Sequence, residues 1–291
     1  MDKKAFHYAD FDRQTVGDDI SSLFPGWSAN DERVVVFCPH DDDGALGAGY
    51  AIQAALANGG DIYLVIFCDG WAGYSMPEEK ETIIERRRAE TISAYTRLGV
   101  PPDHVIRFNY PDFSLLEWNG WQLPDGQPGT MARELPILRQ LKVTRLLLPN
   151  EYREHLDHEA AYLAGVYGSP QVGDPVIVDI GSAPPIRSYA RYAVWGDLSP
   201  EDALANGRPA AIRANRAIIA PPELEDAMAG IMLQWKSQEQ IIAGIMALRQ
   251  KNRVRNGLAL EVYQVFDPRP PLDFGPLPRF DCQDGFQSCH L

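Results

Sequence analysis

Apolar runs of strand length alternate with helix-forming segments along the first two thirds of the chain. Five such runs predict strands: VVVFCP (34–39), IYLVIFC (62–68), HVIRFNY (104–110), RLLLPN (145–150) and PVIVDIG (175–181). Runs rich in Val and Ile without polar alternation are typical of parallel strands buried on both faces. Their alternation with helices implies right-handed βαβ crossovers. We therefore predict a Rossmann-like α/β fold, with a mostly parallel sheet flanked by helices.

The pattern changes after Pro184. Residues 187–195 alternate like an edge or antiparallel strand, and residues 258–266 predict a late strand. Between them, residues 197–222 are polar and interrupted by Pro, which indicates an excursion over the surface. Residues 221–253 carry apolar side chains at helical intervals and form the longest helix candidate. We expect this part of the chain to add C-terminal antiparallel strands to the sheet.

The 291 residues are enough for one large α/β domain. We assign that single domain to residues 1–266, with the catalytic motifs between residues 34 and 180. Residues 267–291 are rich in Pro, and we expect them to form an extended C-terminal tail.

The net charge and the apolar content of the chain argue against some classes of binding partner. A formal net charge of −13 argues against nucleic acid or an anionic membrane surface. The N-terminal residues lack an apolar core of signal-peptide length, and no stretch is apolar enough for membrane insertion. We expect a cytoplasmic protein that acts on a small molecule. The sequence leaves open whether the chain forms a homo-oligomer.

One His and three Asp residues directly follow the first predicted strand, in the motif PHDDDG. They are His40, Asp41, Asp42 and Asp43. Ligands of open α/β sheets bind at the carboxyl ends of strands, so this position predicts a functional site. Adjacent carboxylates repel one another, and a cation or a shared proton relieves that repulsion. The alternative is a helix N-cap, although a cap needs only one Asp.

A second group of candidate residues follows the fourth predicted strand, in NEYREHLDHEAA (150–161). His155 and His158 are three residues apart, so on a helix they share a face and address one centre. Asp157 is expected to point elsewhere on that turn. A solvated surface helix is the alternative interpretation.

Two imidazoles and a carboxylate, with one position open to water, form a common ligand set for catalytic zinc. Nitrogen-rich ligation favours zinc or a neighbouring transition metal over Mg²⁺, which prefers oxygen ligands. In a parallel sheet the loops after the first and fourth strands lie on the same side, and they converge if the two strands are close. The strand order is not readable from the sequence.

These two segments resemble the PIG-L-like (LmbE-like) family of zinc-dependent N-acetylglucosamine deacetylases. The family motifs are usually written P-H-P-D-D-E and H-x-D-H, and here PHDDDG is followed about 115 residues later by HLDH. Weaker agreement extends over roughly residues 32–265, in the segments CDG (68–70), NYPD (109–112) and WKSQ (235–238).

Carried over by position, the resemblance implies that His40, Asp43 and His158 are zinc ligands. It implies that Asp42 is the general base for a metal-activated water, which suits an unligated carboxylate beside a metal. His155 would stabilise the oxyanion as a hydrogen-bond donor.

Arg87 and Asp112 match positions that contact substrate hydroxyls in the family. The alternatives are a solvated helix face for Arg87, which lies in an Arg triplet, and an ordinary turn for Asp112, which follows Pro111. The chain departs from the family at Asp41, which replaces Pro, and at Gly44, which replaces Glu. We expect Asp41 to add a third negative charge beside the metal and to compete for coordination.

The resemblance implies a zinc-dependent N-deacetylase that removes an N-acetyl or other N-acyl group from an amino-sugar-type substrate. Two alternatives stay open. One is a Mg²⁺-dependent phosphotransfer or receiver-type domain, which explains the Asp cluster but gives the His residues no role. The other is a non-catalytic member of the fold that only binds a ligand.

Overall fold

One mixed sheet runs through the computed structural model, which describes residues 5–152, 154–195, 198, 213–251 and 253–271. Its strands are β1 (His7–Asp10), β2 (Thr15–Gly17), β3 (Arg33–Cys38), β4 (Asp61–Cys68), β5 (Val105–Tyr110), β6 (Arg145–Pro149), β7 (Ser188–Tyr192), β8 (Arg216–Ala220) and β9 (Ala259–Phe266). Within the described residues their order is β2-β1-β8-β9-β7-β6-β3-β4-β5.

Helices cover both faces of this sheet. They are α1 (Asp43–Ala57), α2 (Ile83–Leu98), α3 (Thr130–Leu141), α4 (Leu156–Gly168), α5 (Pro222–Met232) and α6 (Glu239–Lys251). Successive side chains of a strand point to opposite faces. Val34 and Val36 of β3 accordingly pack in one apolar core with α1, α2, α5 and α6, whereas Val35 and Phe37 pack in another with α3 and α4. No helix in the described part of the chain is long and apolar enough to cross a membrane.

The sheet is mixed, as predicted, but the described strands form as many antiparallel as parallel pairings, so it is less parallel than expected. Strands β4, β3, β6 and β7 follow one another in parallel, with β5 parallel to β4 at the edge. Strands β9, β8, β1 and β2 continue from β7 in antiparallel pairs. The predicted C-terminal antiparallel additions are therefore present, and the N-terminal segment joins them.

The fifth predicted strand is misplaced. Residues 175–181 contain a single 3₁₀ turn, Val178–Ile180, and Ile177 has a φ of 48°. Val176 and Val178 are of a residue type that favours strands, but their side chains are exposed and do not pack in a core. The strand instead is β7, which was predicted at an edge or antiparallel. It lies inside the sheet, parallel to β6 and antiparallel to β9.

Two other predictions for the C-terminal part need correction. The excursion predicted over 197–222 includes β8, and residues 197 and 199–212 lie outside the described part of the chain. The long helix predicted over 221–253 is divided into α5 and α6. Between them Trp235 is fully buried, and its Nε1 donates to Thr91 Oγ1 of α2 at 3.3 Å. Burying this indole requires the chain to turn, which ends α5. Most of the predicted tail, from residue 272 onward, also lies outside the described residues.

Helix α1 is kinked within its Gly-Ala-Gly segment, where Ala48 leaves helical geometry. Side chains of the C-terminal segment take up the freed backbone groups. Tyr50 N donates to Glu261 Oε2 at 2.7 Å, and Arg249 Nη1 donates to the carbonyl oxygen of Leu46 at 3.2 Å. The first turn of α1, which carries Asp43, is therefore held by α6 and β9.

Candidate active site

Two loops at the carboxyl ends of neighbouring strands meet in one cleft. Strands β3 and β6 are paired in parallel, so the loops that follow them leave the same edge of the sheet side by side. Between these loops lies a cleft of about 180 Å³. It is lined by all seven residues predicted for the site, namely His40, Asp42, Asp43, Arg87, Asp112, His155 and His158.

His40, Asp43 and His158 form a cluster that fits a metal ion. Their potential ligand atoms all lie within 4.8 Å of one another. Asp43 Oδ2 is 3.3 Å from His158 Nε2 and 3.3 Å from His40 Nδ1. Two ligands about 2.0–2.1 Å from a tetrahedral zinc ion are separated by roughly the same distance. The donor set and its spacing therefore suit zinc.

Buried carboxylates orient both imidazoles of this cluster. His40 Nε2 lies 3.1 Å from Asp157 Oδ2, and His158 Nδ1 lies 2.8 Å from Glu154 Oε2. Each carboxylate accepts a hydrogen bond from the N–H group of one ring nitrogen. The other nitrogen of each ring is therefore directed at Asp43. Metal-ligating His residues are commonly held in this way.

Asp43 and the two imidazoles of the cluster strongly shift one another's pKa values. Burial opposes protonation of His40, but its hydrogen bonds to Asp157 and Asp43 raise its pKa well above the usual value. Burial likewise opposes the charge on His158, yet the neighbouring Asp43 carboxylate raises the pKa of His158 to about 9. The two imidazoles in turn outweigh burial and hold the pKa of Asp43 well below its usual range. A cation bound here would take the place of the ring protons.

The contacts that Asp157 and Glu154 make with the two imidazoles were missed in the sequence analysis. Asp157 was expected to point away, but it contacts His40 because α4 begins one residue after His155, which is its N-cap. Asp157 also accepts hydrogen bonds from the backbone N–H groups of Phe113 and Leu115, at 2.7 and 3.1 Å. The four-residue spacing of Glu154 from His158 is the one sequence signal for its role.

Asp42 lies beside the metal cluster and is almost fully buried. Burial raises its pKa; Arg87, whose Nη2 is 3.4 Å from Asp42 Oδ1, opposes the rise, and the charge of Asp43 adds to it. A carboxylate with a raised pKa is suited to accept and return a proton.

His155 also lines this cleft, and its imidazole is neutral. Its Nδ1 accepts the backbone N–H of Asp157 at 3.1 Å, so the ring proton resides on Nε2. Burial and the neighbouring His40 both lower its pKa. An Nε2–H group of this kind is a hydrogen-bond donor to a substrate oxygen.

Asp41 does not face the metal cluster, contrary to expectation. Its carboxylate is fully buried and accepts from Arg87 Nε at 3.0 Å and Thr91 Oγ1 at 2.8 Å, and it also pairs with Arg107. The departure from the family at Gly44 is steric, because a Cβ there would lie 2.8 Å from the thiol of Cys38 and 2.9 Å from the hydroxyl oxygen of Tyr95.

Arg87 and Asp112 are buried at the wall of the cleft, so Arg87 is not part of a solvated helix face. Asp112 accepts the backbone N–H groups of Gly70 and Ala72, at 3.0 and 2.9 Å. These bonds fix the loop after β4 against the loop after β5. Contact of either residue with a substrate remains a prediction.

Several solved structures share this fold. N,N'-diacetylchitobiose deacetylase from Pyrococcus horikoshii is 18% identical, with 84% of this chain and 88% of that chain covered and a TM-score of 0.61. The 4-carboxy-2-hydroxymuconate hydratase GalB from Pseudomonas putida KT2440 is 16% identical, with 83% and 99% covered and a TM-score of 0.60. The zinc-inhibited form of teicoplanin deacetylase Orf2 is 16% identical, with 81% and 99% covered and a TM-score of 0.53. At these identities the likeness establishes the fold alone.

No curated protein matches the chain at a significant level of sequence similarity. The sequence model of the PIG-L family, described as GlcNAc-PI de-N-acetylase, matches residues 35–167. This range includes β3 and α4, and thus both motifs that form the cleft. The resemblance to the PIG-L family is therefore confirmed over residues 35–167, the segment that carries both motifs.

Proposed function

We propose that this protein is a zinc-dependent hydrolase that removes an N-acetyl group from an amino-sugar-type substrate. One observation carries this assignment: a separate buried carboxylate, Asp42, stands beside a cluster of His40, Asp43 and His158 whose outer faces are held by carboxylates. The family match and the deacetylases of similar fold support it. The fold alone does not select a reaction, because a hydratase shares it.

The residues of the cleft divide the reaction among them. His40, Asp43 and His158 would hold zinc, which when bound lowers the pKa of a water molecule and polarises a carbonyl group. Asp42 takes the proton of the attacking water. His155 donates Nε2–H to the carbonyl oxygen as negative charge develops there.

The proton held by Asp42 then passes to the departing nitrogen. The C–N bond of the amide breaks as the new C–O bond is retained, and the products are acetate and a free amine. Arg87 and Asp112 are the polar contacts that we assign to the substrate. Asp157 and Glu154 act indirectly, through the imidazoles that they orient.

We expect Asp42→Asn to lower the rate of acetate release by at least about 100-fold, because general acid–base groups contribute on that order. Zinc content should stay near one ion per chain, since Asp42 is not one of the assigned ligands. The measurement pairs acetate release with elemental analysis, over a panel of N-acetylated mono- and disaccharides.

Asp103→Asn is the matched control, because Asp103 is exposed and does not line the cleft. Near-normal acetate release from Asp42→Asn would refute the assignment of the base. A requirement for Mg²⁺ with no bound zinc would instead favour the phosphotransfer alternative. Bound zinc without amine release across the panel would favour the ligand-binding alternative.

A further inference from the structure

Three large apolar side chains at the mouth of the cleft are exposed. Phe113, Trp195 and Ile241 are 60%, 49% and 42% exposed, and all three line the cleft that contains the metal cluster. We call them the apolar rim. Large apolar side chains exposed beside a group of convergent polar residues are characteristic of a binding site.

The two aromatic members of the apolar rim are fixed to the metal cluster through the main chain. Phe113 N donates to Asp157 Oδ2 at 2.7 Å, and Trp195 N donates to Glu154 Oε1 at 3.1 Å. These are the carboxylates that orient His40 and His158. The backbone at both residues is therefore held relative to His40 and His158.

The backbone of Phe113 is also strained. Its φ is 62°, a left-handed conformation that a residue with a bulky side chain rarely adopts. The strain places the exposed ring against His155, with 4.5 Å between the ring centroids. Conformations of this kind persist where the surroundings impose them, and they concentrate at functional sites.

The polar groups of the cleft wall are already engaged within the protein. Both oxygens of Asp112 accept backbone N–H groups, and Arg87 is paired with Asp41. Gln238 Nε2 donates to the carbonyl oxygen of Gly73. These bonds hold the polar groups at the wall of the cleft, apart from the apolar side chains at its mouth, where an apolar group of a substrate would pack.

We infer that the amine part of the substrate carries an alkyl or aryl substituent, which packs on the apolar rim. This inference rests on the proposed function. The acyl group removed there is an acetyl group, which is too small to cover three large side chains. The substituent therefore belongs to the amine side, for example as the apolar aglycone of an N-acetylated amino sugar.

The test measures kcat/KM of the zinc-loaded protein for two substrates, the methyl and the hexyl glycoside of N-acetylglucosamine. Burying one methylene group favours binding by about fourfold. Even partial contact with the apolar rim should thus give the hexyl glycoside a kcat/KM at least about 10-fold higher. A ratio near one would overturn the inference.

Substitutions assign the preference to the apolar rim. Trp195→Ala and Phe113→Ala should each lower the hexyl-to-methyl ratio by at least about threefold, whereas Trp195→Phe should retain most of it. Tyr167→Ala is the matched control, because Tyr167 is a large aromatic residue that is more exposed than either and is not part of the cleft lining. Thermal unfolding checks that each variant is folded. Equal ratios in all variants would contradict the inference.

A binding measurement separates failure of this inference from failure of the proposed function. Calorimetry with the Asp42→Asn holoprotein should show tighter binding of the hexyl than of the methyl glycoside, independent of turnover. Tighter hexyl binding without deacetylation by the native protein would refute the proposed function and retain the apolar site. Deacetylation with a preference for an N-hexanoyl over an N-acetyl substrate would overturn the assignment of the apolar rim to the amine side.

Discussion

Asp41 is a buried anion that neutralises two buried or partly buried cations, Arg87 and Arg107. Burial would raise its pKa, but the two guanidinium groups hold the pKa of Asp41 below its usual value. We expect Asp41→Asn to lower the free energy of unfolding by about 3–5 kcal/mol, because it removes the carboxylate that pairs with Arg107 and leaves the buried Arg87 with Asp42 alone. Urea denaturation measures the loss. Asp125→Asn, at an exposed position, should change little, and an equal effect of both substitutions would contradict this role for Asp41.

Glu134 of α3 is fully buried, and neither of its carboxylate oxygens has a hydrogen-bond partner among the described residues. Burial therefore raises its pKa well above the usual value of about 4.3. The folded state keeps this proton at pH values where the unfolded state has lost it. Since the folded state binds more protons in that window, stability falls as the pH rises through it.

Glu134→Gln removes this proton linkage, so the variant should gain stability relative to the native protein as the pH rises from 5 to 7. The gain is at most about 1.4 kcal/mol per pH unit, the slope for a difference of one bound proton. Urea denaturation at several pH values provides the measurement, with the exposed Glu78→Gln as control. A stability difference that does not change with pH would show that Glu134 is ionised in the folded protein.

At the residue scale, the sequence predicted the clustered residues that belong to the two motifs, but not the carboxylates that orient their imidazoles. His40 and Asp43 follow a recognisable strand, and His158 completes a known ligand set. Asp157 and Glu154 were missed because their direction depends on where α4 begins. That boundary is set by His155 as N-cap, and periodicity does not locate it to one residue.

At the scale of elements, α1 reaches the site only because it packs closely on the end of β7. A Cβ at Gly47 would lie 2.6 Å from the carbonyl oxygen of Ala193. We expect Gly47→Ala to cost about 1–3 kcal/mol of stability by overpacking, and to lower zinc affinity because the first turn of α1 carries Asp43. Unfolding and zinc titration measure the two effects.

Gly230→Ala supplies the control for that substitution. Gly230 lies in α5, and a Cβ there meets no atom within 4 Å. The same exchange should therefore stabilise the protein by about 0.5–1 kcal/mol through helix propensity. Destabilisation by Gly230→Ala would mean that the loss at Gly47 reports a general effect of Ala and not close packing.

The elements of the first half were predictable because their apolar runs enter the core. The errors in the second half have the opposite cause. Val176 and Val178 are β-branched but exposed, so their residue type predicts a strand that tertiary packing does not form. Trp235 continues a helical apolar pattern, but its burial against α2 divides the predicted helix into α5 and α6.

At the scale of the whole molecule, the strand order was not readable, because β9 is inserted between β7 and β8 by pairings that no local pattern records. We expect deletion of residues 254–291 to cause aggregation, since it exposes the edges of β7 and β8. Deletion of residues 272–291 keeps every described strand and is the control. Size-exclusion chromatography and circular dichroism measure the outcome. If the longer deletion gave a folded monomer, β9 would not be needed to connect β7 with β8 in the sheet.

The pairing of β1 with β8 joins residues more than 200 positions apart, as in His7 with Ile219. During synthesis at about 5–20 residues per second, the N-terminal strand thus waits roughly 10 to 40 seconds before its partner emerges. The parallel strands β3, β4 and β6, two of which precede the motifs of the candidate site, are complete much earlier. On the ribosome, the half of the sheet that carries the candidate site has time to assemble while the N-terminal hairpin is still unpaired with β8 and accessible to chaperones.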